Sequence, residues 1–337
     1  KLKMFSALIV SLIILIIVAA VGAKLWFDAQ LKPASDDTNA AFVRVVIENG
    51  STPTHIGILL EEKKVIRSAF AFDIYTRIIG VQSKLQAGAF SVRPSDSMPD
   101  VVAHLVAGKT DEFNMTFLPG DSLANNRLGL IKAGYSEAEV DAALAKAYDH
   151  PALATKPPSA DLEGYIYGET YRFRSDATAD MVIARALDEL QTQIVKYDLV
   201  NAYKARGLTL YEGITLASII QREVSGNDDE KQVAQVFYKR LSEGMPLGSD
   251  VTFIYAAKKL GLPATPDLES PYNTRKYAGL PPGPIATPGL SALLAAASPA
   301  AGDFNYFLAG DDGITYFAHT LEQHESNIVN HCQKGCQ

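Results

Sequence analysis

The distribution of apolar residues predicts a helix near the N-terminus that is long enough to cross a membrane. The run Met4–Ala23 contains no charged residue, and Lys1 and Lys3 precede it. About twenty helical residues span about 30 Å, the thickness of a bilayer's hydrocarbon core. A cleaved signal peptide is the alternative, but the run is longer than the apolar core of such a peptide. We therefore expect a retained anchor, with the body outside the cytoplasm because basic residues favour the cytoplasmic side.

Between residues 42 and 115, a strand, a turn and a short helix follow one another twice. Phe42–Ile47 and Ala89–Val92 have the composition of strands, and Ser/Thr/Pro turns lead from each to an apolar helical stripe. Met115–Leu118 begins a third, incomplete copy. The pattern predicts a small α+β domain that resembles LysM domains, which bind glycans containing N-acetylglucosamine. A small α+β spacer that binds nothing is the alternative.

One predicted helix carries an acid on its apolar face. Leu216, Ile219, Ile220 and Glu223 have the spacing i, i+3, i+4, i+7, which places them on one stripe. Burial disfavours a charged carboxylate and raises its pKa. A glutamic acid that keeps its proton near neutral pH suits general-acid catalysis. The alternative is that Glu223 lies at the helix end and turns its carboxylate into solvent.

The rest of the chain predicts a helix-rich α+β fold. Ser136 is expected to cap a helix, and an apolar stripe predicts another from about Thr178 to Tyr197. Asn227 is expected to cap the helix that follows Glu223 and ends at Gly244. Residues 262–289 form a Pro/Gly-rich segment, of a kind that is usually functional. Two apolar runs bracket Gly310–Gly313 and predict a β-hairpin.

Composition excludes some classes of function. The 337 residues suffice for two or three domains, and a formal net charge of −7 offers no basic surface for nucleic acid. Cys332 and Cys336 are the only cysteines, beside His331. A disulfide in the tail and two free thiols both fit, whereas three ligand-type residues are weak support for a metal site. We expect neither a metal nor a cofactor.

Carboxylates, aromatic rings and amides are the remaining candidates for chemistry, and they suit carbohydrate, since sugar rings pack on aromatic planes. Glu163–Phe173 holds two carboxylates and four aromatic residues, although these tyrosines also suit an ordinary core. Asp250 could contact a ligand or cap the helix that follows it. Tyr272–Thr274 could form a turn or a substrate clamp.

Five segments in one order resemble a known family, the endolytic murein transglycosylases (the MltG or YceG-like family). Glu163-Gly164 with Thr170-Tyr171 and the segment from Tyr316 to His324 fit as well. The match covers about residues 116–328. The five segments are Ala217–Glu223, Val233–Leu241, Gly244–Asp250, Ser270–Thr274 and Gly279–Ile285.

The resemblance implies an enzyme of the inner membrane that faces the cell wall. Such enzymes cut β-1,4 bonds after N-acetylmuramic acid within glycan strands and leave 1,6-anhydro ends. The family's catalytic acid corresponds to Glu223. Gln221 stands where the family commonly has Glu, and Glu169 and Val251 also depart from its motifs. The substrate-binding residues implied are Glu163, Tyr165, Glu169, Thr170, Gln221, Asp250, Thr252, Tyr272, Asn273 and Thr274.

These observations predict five segments of chain. Residues 1–27 would form the cytoplasmic tip and anchor, 28–41 a linker, 42–115 the LysM-like domain, 116–330 the catalytic domain and 331–337 a tail. The implied partners are peptidoglycan glycan strands, the inner membrane and the wall-synthesis machinery, with no nucleic acid. Two alternatives remain from the residues alone: a hydrolytic muramidase, and a membrane-tethered protein that binds peptidoglycan without cutting it.

Overall fold

A computed structural model describes residues 2–37, 40, 42–108, 112–224 and 226–333. The contacts within the chain divide it into two compact units. Unit 1 comprises residues 1–114, 132–135 and 172–177, and unit 2 comprises 115–131, 136–171 and 178–337. The architecture is a mixed α+β fold with a helix-rich unit 2 and an apolar N-terminal helix, in agreement with the expected class.

The N-terminal helix α1 runs from Leu2 to Gln30, farther than the uncharged run that predicted it. The Lys24 ammonium lies 2.6 Å from the Asp28 carboxylate one turn away, and such a pair supports the helix beyond its apolar part. Within the described residues, Ser11–Gln30 is the one stretch long and apolar enough, by length and composition, to cross a membrane. A membrane anchor and a signal sequence both fit this helix.

Besides α1, the described part of unit 1 contains a two-stranded antiparallel sheet and three further α-helices. Strand β1 (Val43–Ile47) pairs with β2 (Gly88–Val92), with Val45 opposite Phe90. Helices α2 (Pro53–Glu62) and α4 (Met98–Ala107) begin after Thr52 and Ser97, which cap them from within the predicted turns. Helix α3 (Ala69–Ile78) was not predicted. Its Phe70 and Phe72 alternate in the way of a strand, and only Phe72 is buried.

The core of unit 1 fills the space between the sheet and its helices. Val45, Ile47 and Phe90 from the sheet meet Leu60 of α2 and Leu105 of α4, and all five are nearly or fully buried. The predicted stripes therefore face the sheet, as amphipathic helices require.

The first elements of unit 2 are short. Ser136 accepts a hydrogen bond from the Glu139 amide at 3.2 Å and caps its helix, as predicted. Two strands pair to form a second sheet. The helices are α5 (Leu123–Lys132) and α6 (Glu137–Ala145). The strands are β3 (Glu112–Thr116) and β4 (Thr170–Arg174), of which residues 112–114 and 172–174 are assigned to unit 1.

The centre of unit 2 is helix α9 (Leu210–Glu223), which contacts α8, α10, α11 and α12. Thr209 and Glu212 form a reciprocal capping box at its start. Gly213 allows α8 to approach closely, because a Cβ there would lie 2.2 Å from the Tyr203 ring. The surrounding helices are α7 (Ala179–Lys196), α8 (Leu199–Lys204), α10 (Asn227–Ser242), α11 (Asp250–Leu260) and α12 (Leu290–Ala297).

Two predicted caps are wrong by one residue. Gly226 occupies the cap position of α10, and Asn227 is the first residue of that helix. Ser249 occupies the cap position of α11, and Asp250 is its first residue. For Asp250 the reason is that an acidic residue is favourable in the first turn of a helix as well as at the cap, so composition alone does not separate the two positions.

The C-terminal part of unit 2 contains the predicted hairpin. Strand β5 (Tyr306–Ala309) pairs antiparallel with β6 (Thr315–Ala318), and α13 (Leu321–His331) follows. Cys332, directly after α13, is disulfide-bonded. Between α11 and α12, where every residue is described, the Pro/Gly-rich segment has neither helix nor strand.

Candidate active site

Glu223 is the last residue of α9, at the end of the predicted apolar stripe. Leu216, Ile219 and Ile220 are fully buried, which confirms the stripe. Glu223 itself is partly exposed and lines two neighbouring cavities of about 220 and 360 Å³. The residue is therefore at a helix end, as the alternative interpretation supposed, but its carboxylate faces cavities and not open solvent.

Ser249 Oγ donates a hydrogen bond to Oε1 of the Glu223 carboxylate. Burial raises the pKa of Glu223 to about 7, against the lowering effect of the Ser249 hydrogen bond. A carboxyl with this pKa is a mixture of protonated and ionised forms at neutral pH. It can therefore donate a proton and later accept one.

Three charged side chains share the smaller cavity with Glu223. Asp250 pairs with Arg275, and Arg240 binds the carbonyl of Asn305 through Nε at 2.8 Å. The charge of Asp250 raises the pKa of Glu223, whereas Arg240 and Arg275 lower it. The neighbouring charges thus oppose one another, and burial remains the largest influence on the acid.

The two Glu223 cavities have different walls. The smaller one is lined by β5 of the hairpin, by His324 and Ile328 of α13, and by Cys332 directly after α13. The larger one is lined by Gln221, Asp229 and Thr315 among others. Ala309 lines both cavities. Glu223 therefore faces space on two sides.

Gln221 lines the larger cavity and also fixes a backbone segment. Its Oε1 accepts a hydrogen bond from the Gly289 amide at 2.7 Å, just before α12. A neutral amide here adds no charge beside Glu223. The structure therefore brings Gln221 to the candidate site.

Thr252 and Thr274, expected to bind substrate, are buried beneath the site. Their hydroxyls lie 2.9 Å apart, and each is fully or almost fully buried. The Thr252 hydroxyl donates to the Ser249 carbonyl at 2.6 Å, and the Ser249 amide donates to the Thr274 hydroxyl at 3.2 Å. These contacts favour a role in holding Ser249 over direct contact with a ligand.

Glu163 lies in a different cavity of unit 2, of about 330 Å³, whose lining shares no residue with the Glu223 cavities. Its carboxylate accepts hydrogen bonds from the Leu123 amide at 2.8 Å and the Tyr255 hydroxyl at 3.0 Å. Burial nevertheless raises the pKa of Glu163 to about 7. The structure thus contains a second perturbed carboxyl apart from the first.

Three other expected contact residues differ in exposure. Tyr165 is fully buried and stacks on Tyr211, with ring centroids 6.4 Å apart. Asn273 is also fully buried and donates to the carbonyls of Pro266 and Leu268. Tyr272 is only partly buried. Burial favours packing roles for Tyr165 and Asn273. The Tyr272 ring is partly exposed and could therefore stack on a sugar ring.

Glu169 and Thr170 are exposed at the start of β4. The Thr170 hydroxyl lies 2.9 Å from that of Thr116, and the Glu169 carboxylate accepts from the Thr170 amide at 2.9 Å. Among the described residues, neither belongs to the lining of the Glu223 cavities. The structure does not bring this pair to the candidate acid.

Sequence reasoning missed four residues of the site: Ser249, Arg240, Arg275 and His324. Ser249 and Arg240 lie within the segments that carry the family resemblance, but periodicity gives no sign that their side chains meet Glu223. Ser249 directly precedes Asp250, and the sequence indicated Asp250, not Ser249, as the candidate cap.

With this geometry in view, comparison of sequences identifies the class of protein. The model of the YceG-like family matches residues 45–330, which is most of the chain. The chain therefore belongs to the YceG-like family.

Individual relatives agree with this assignment. The chain is 28% identical to an endolytic murein transglycosylase of Streptococcus pneumoniae over 97% of its own length, but spans only 65% of that protein. It is 30% identical to an endolytic murein transglycosylase of Bacillus subtilis, covering 90% of this chain and 88% of that protein. It also resembles the crystal structure of a yceG-like protein from Listeria monocytogenes, with a TM-score of 0.56, 30% identity and coverage of 85% and 98% of the two chains.

Proposed function

We propose that this protein is a membrane-anchored endolytic transglycosylase of peptidoglycan. It would cleave the β-1,4 bond between N-acetylmuramic acid and N-acetylglucosamine, form 1,6-anhydro-muramic ends and limit the length of glycan strands. The observation that carries the proposal is the Glu223 carboxyl, which lies beside two cavities with a pKa of about 7. The names of the relatives from S. pneumoniae and B. subtilis support the same substrate.

In the first step, Glu223 donates its proton to the glycosidic oxygen. The bond between C1 of the muramic ring and that oxygen breaks, and C1 acquires oxocarbenium character. The leaving sugar departs with a hydroxyl, and Glu223 becomes a carboxylate. The Ser249 hydroxyl and the two nearby arginines then stabilise the new negative charge.

In the second step, the same carboxylate accepts the proton of the muramic C6 hydroxyl while that oxygen attacks C1. The new O6–C1 bond closes the anhydro ring, and Glu223 is again protonated. One residue thus serves as acid and base, and no water is consumed. The attacking hydroxyl is tethered to the reacting ring, so its effective concentration is high.

A hydrolytic muramidase is the second candidate, because Asp250 lines the same cavity as Glu223. A retaining hydrolase uses a second carboxylate as nucleophile, and an inverting one uses it to activate water. Asp250 is ion-paired with Arg275 in that cavity. The product end group distinguishes the two reactions.

The test is mass spectrometry of purified glycan strands after digestion by the full chain. We expect products that end in 1,6-anhydro-N-acetylmuramic acid, lighter by one water than reducing ends. Glu223→Gln should abolish turnover while leaving the fold intact, because an amide cannot donate the catalytic proton. Reducing muramic ends would establish the hydrolase, and a Glu223→Gln variant with wild-type activity would remove the catalytic assignment. Gln221→Ala is the matched control and should be far milder.

We propose further that unit 1 contributes the LysM-like domain, with boundaries at about residues 42 and 115, and that residues 116–330 form the catalytic domain. The antiparallel pair β1–β2 with helices packed on it supports a small α+β domain of this kind. Retention of insoluble peptidoglycan by the full chain and by a form lacking residues 42–108 would test whether this domain binds glycan.

We propose that α1 anchors the protein in the inner membrane, with the remainder facing the wall and the wall-synthesis machinery. The support is the apolar length of α1 and the substrate named for the relatives. Protease added to spheroplasts should degrade the body of the protein. A soluble form that begins near Lys24 would instead indicate a cleaved signal peptide.

A further inference from the structure

Ser249 stands at the cap position of α11 but does not cap it. A serine at this position ordinarily accepts a hydrogen bond from a backbone amide in the first turn. Here the side chain makes no such bond, and its hydroxyl donates to Glu223 Oε1 instead. Ser249 therefore does not stabilise the start of its own helix, and its hydroxyl binds the acid at the end of α9 instead.

The backbone of Ser249 is held from two directions. The Thr252 hydroxyl donates to its carbonyl, and its amide donates to the Thr274 hydroxyl. The Gly248 amide donates to the Thr274 carbonyl at 2.9 Å, which secures the preceding residue. All three hydroxyl residues are buried. Because the backbone is fixed on both sides, the Ser249 side chain has little freedom to leave Glu223.

The direction of this hydrogen bond matters for the acid. A hydroxyl that donates to Oε1 occupies that oxygen as an acceptor, so the proton of neutral Glu223 belongs on Oε2. A carboxyl that is free to rotate could carry its proton on either oxygen and lose alignment with the leaving group. Fixing one oxygen therefore fixes the position of the other.

We propose that Ser249 is a positioning residue that assigns the catalytic proton to Glu223 Oε2, and that Thr252 and Thr274 act only by holding Ser249. This inference rests on the proposed function and assigns the two buried threonines to the support of the acid. When the carboxylate forms after proton transfer, the same hydroxyl stabilises its charge. The direction of the pKa effect agrees, since the Ser249 hydrogen bond lowers the pKa of Glu223.

The first measurement needs no substrate. Glutamate side-chain carboxyls of the full chain in detergent micelles are labelled with carbon-13 and titrated by NMR, and Glu223→Gln identifies the Glu223 signal. Ser249→Ala should raise the pKa of Glu223 by about one unit, and Ser249→Thr, which keeps the hydroxyl, should restore it. The titration does not depend on which substrate the protein cleaves. An unchanged Glu223 pKa would therefore contradict the role of Ser249 without bearing on the proposed transglycosylase activity.

The matched control is Ser136→Ala, which removes a serine that does cap its helix. We expect Ser136→Ala to lower the thermal midpoint by about 2–4 °C without moving the Glu223 pKa. Ser249→Ala should raise the Glu223 pKa and leave the thermal midpoint nearly unchanged, because no cap is lost at α11. Equal behaviour of the two variants would mean that Ser249 has a merely structural role.

Kinetics complete the test. Ser249→Ala should lower kcat by about 10–100-fold with less than about a threefold change in KM. It should also shift the alkaline limb of the pH profile to higher pH, because a raised Glu223 pKa keeps the acid protonated longer as pH rises. Thr252→Val should also lower kcat, but by a smaller factor. In a protein that already carries Ser249→Ala, adding Thr252→Val should cause no further loss of kcat. The proposal would be overturned if Ser249→Ala left the Glu223 pKa unchanged. It would also be overturned if Thr252→Val lowered kcat by the same factor in the Ser249→Ala protein as in the wild type.

Discussion

The Asp250 carboxylate pairs with the Arg275 guanidinium in the cavity that also contains Glu223. The two side chains have opposite effects on the candidate acid: Asp250 raises the pKa of Glu223, and Arg275 lowers it. The pair therefore keeps the local charge nearly balanced. Removal of one partner leaves the other charge unopposed.

We predict that Asp250→Asn shifts the pH optimum of cleavage to lower values. The variant loses an anion that raises the pKa of Glu223 and frees a cation that lowers it, so the acid ionises earlier as pH rises. Arg275→Gln should shift the optimum in the opposite direction. The pH dependence of kcat/KM for the two variants measures both shifts, and a common direction would contradict this electrostatic interpretation.

The second prediction separates core tyrosines from exposed ones. Tyr165→Ala should destabilise unit 2 by about 3–5 kcal/mol, because it removes a fully buried ring. Tyr165→Phe should be neutral or slightly stabilising, since the buried Tyr165 hydroxyl has no hydrogen-bond partner among the residues that the structure describes. Urea denaturation measures both changes. Weaker glycan binding by Tyr165→Phe with unchanged stability would instead indicate a contact with substrate.

Tyr272→Ala is the companion variant in this series. Its ring is partly exposed and packs beside Tyr255, with centroids 5.2 Å apart. We expect a smaller loss of stability than for Tyr165→Ala and a larger loss of glycan affinity. Asn273→Ala should resemble Tyr165→Ala, because its amide organises the loop through two backbone carbonyls.

The third prediction concerns stability and pH. Glu163 has a folded-state pKa of about 7, raised from 4.5 by burial. Between these values the unfolded chain loses the proton and the folded chain keeps it, so stability falls as pH rises. The contribution of Glu163 to the unfolding free energy is fully present below about pH 4.5 and lost above about pH 7, with an upper limit of roughly 3–4 kcal/mol. The raised pKa of Glu223 likewise makes the unfolding free energy fall as pH rises.

Glu163→Gln provides the measurement. The difference in unfolding free energy between pH 5 and pH 8 should be smaller in this variant than in the wild type, because the variant has one fewer titrating carboxyl. Exposed Glu169→Gln is the control and should leave the difference unchanged. An equal pH dependence in wild type and Glu163→Gln would mean that Glu163 titrates normally.

Local patterns predicted much of unit 2. The stripe from Leu216 to Glu223 has a helical period, and the two apolar runs around Gly310–Gly313 form the hairpin as expected. These elements were predictable because period and turn residues act over a few positions. The capping box of α9 was also readable, since Thr209 and Glu212 have the spacing of that motif.

The contacts of the candidate acid were not predictable in this way. Ser249 lies 26 positions after Glu223 in the chain and meets it only because α9 and α11 pack together. The aromatic residues of Glu163–Phe173 suited both carbohydrate and an ordinary core, so the sequence did not indicate whether glycan or Tyr211 would cover the Tyr165 ring. Spacing reports which face a residue occupies, whereas its function depends on what lies opposite that face.

The two cavities beside Glu223 have a consequence for the time course of digestion. A carboxyl with space on both sides does not require a chain end to occupy either one. In the proposed reaction, the rate at which a strand is cut would then increase with the number of bonds it contains. The longest strands would disappear first, and the length distribution would narrow before its mean became small. An enzyme that held chain ends would instead shorten every strand at the same rate.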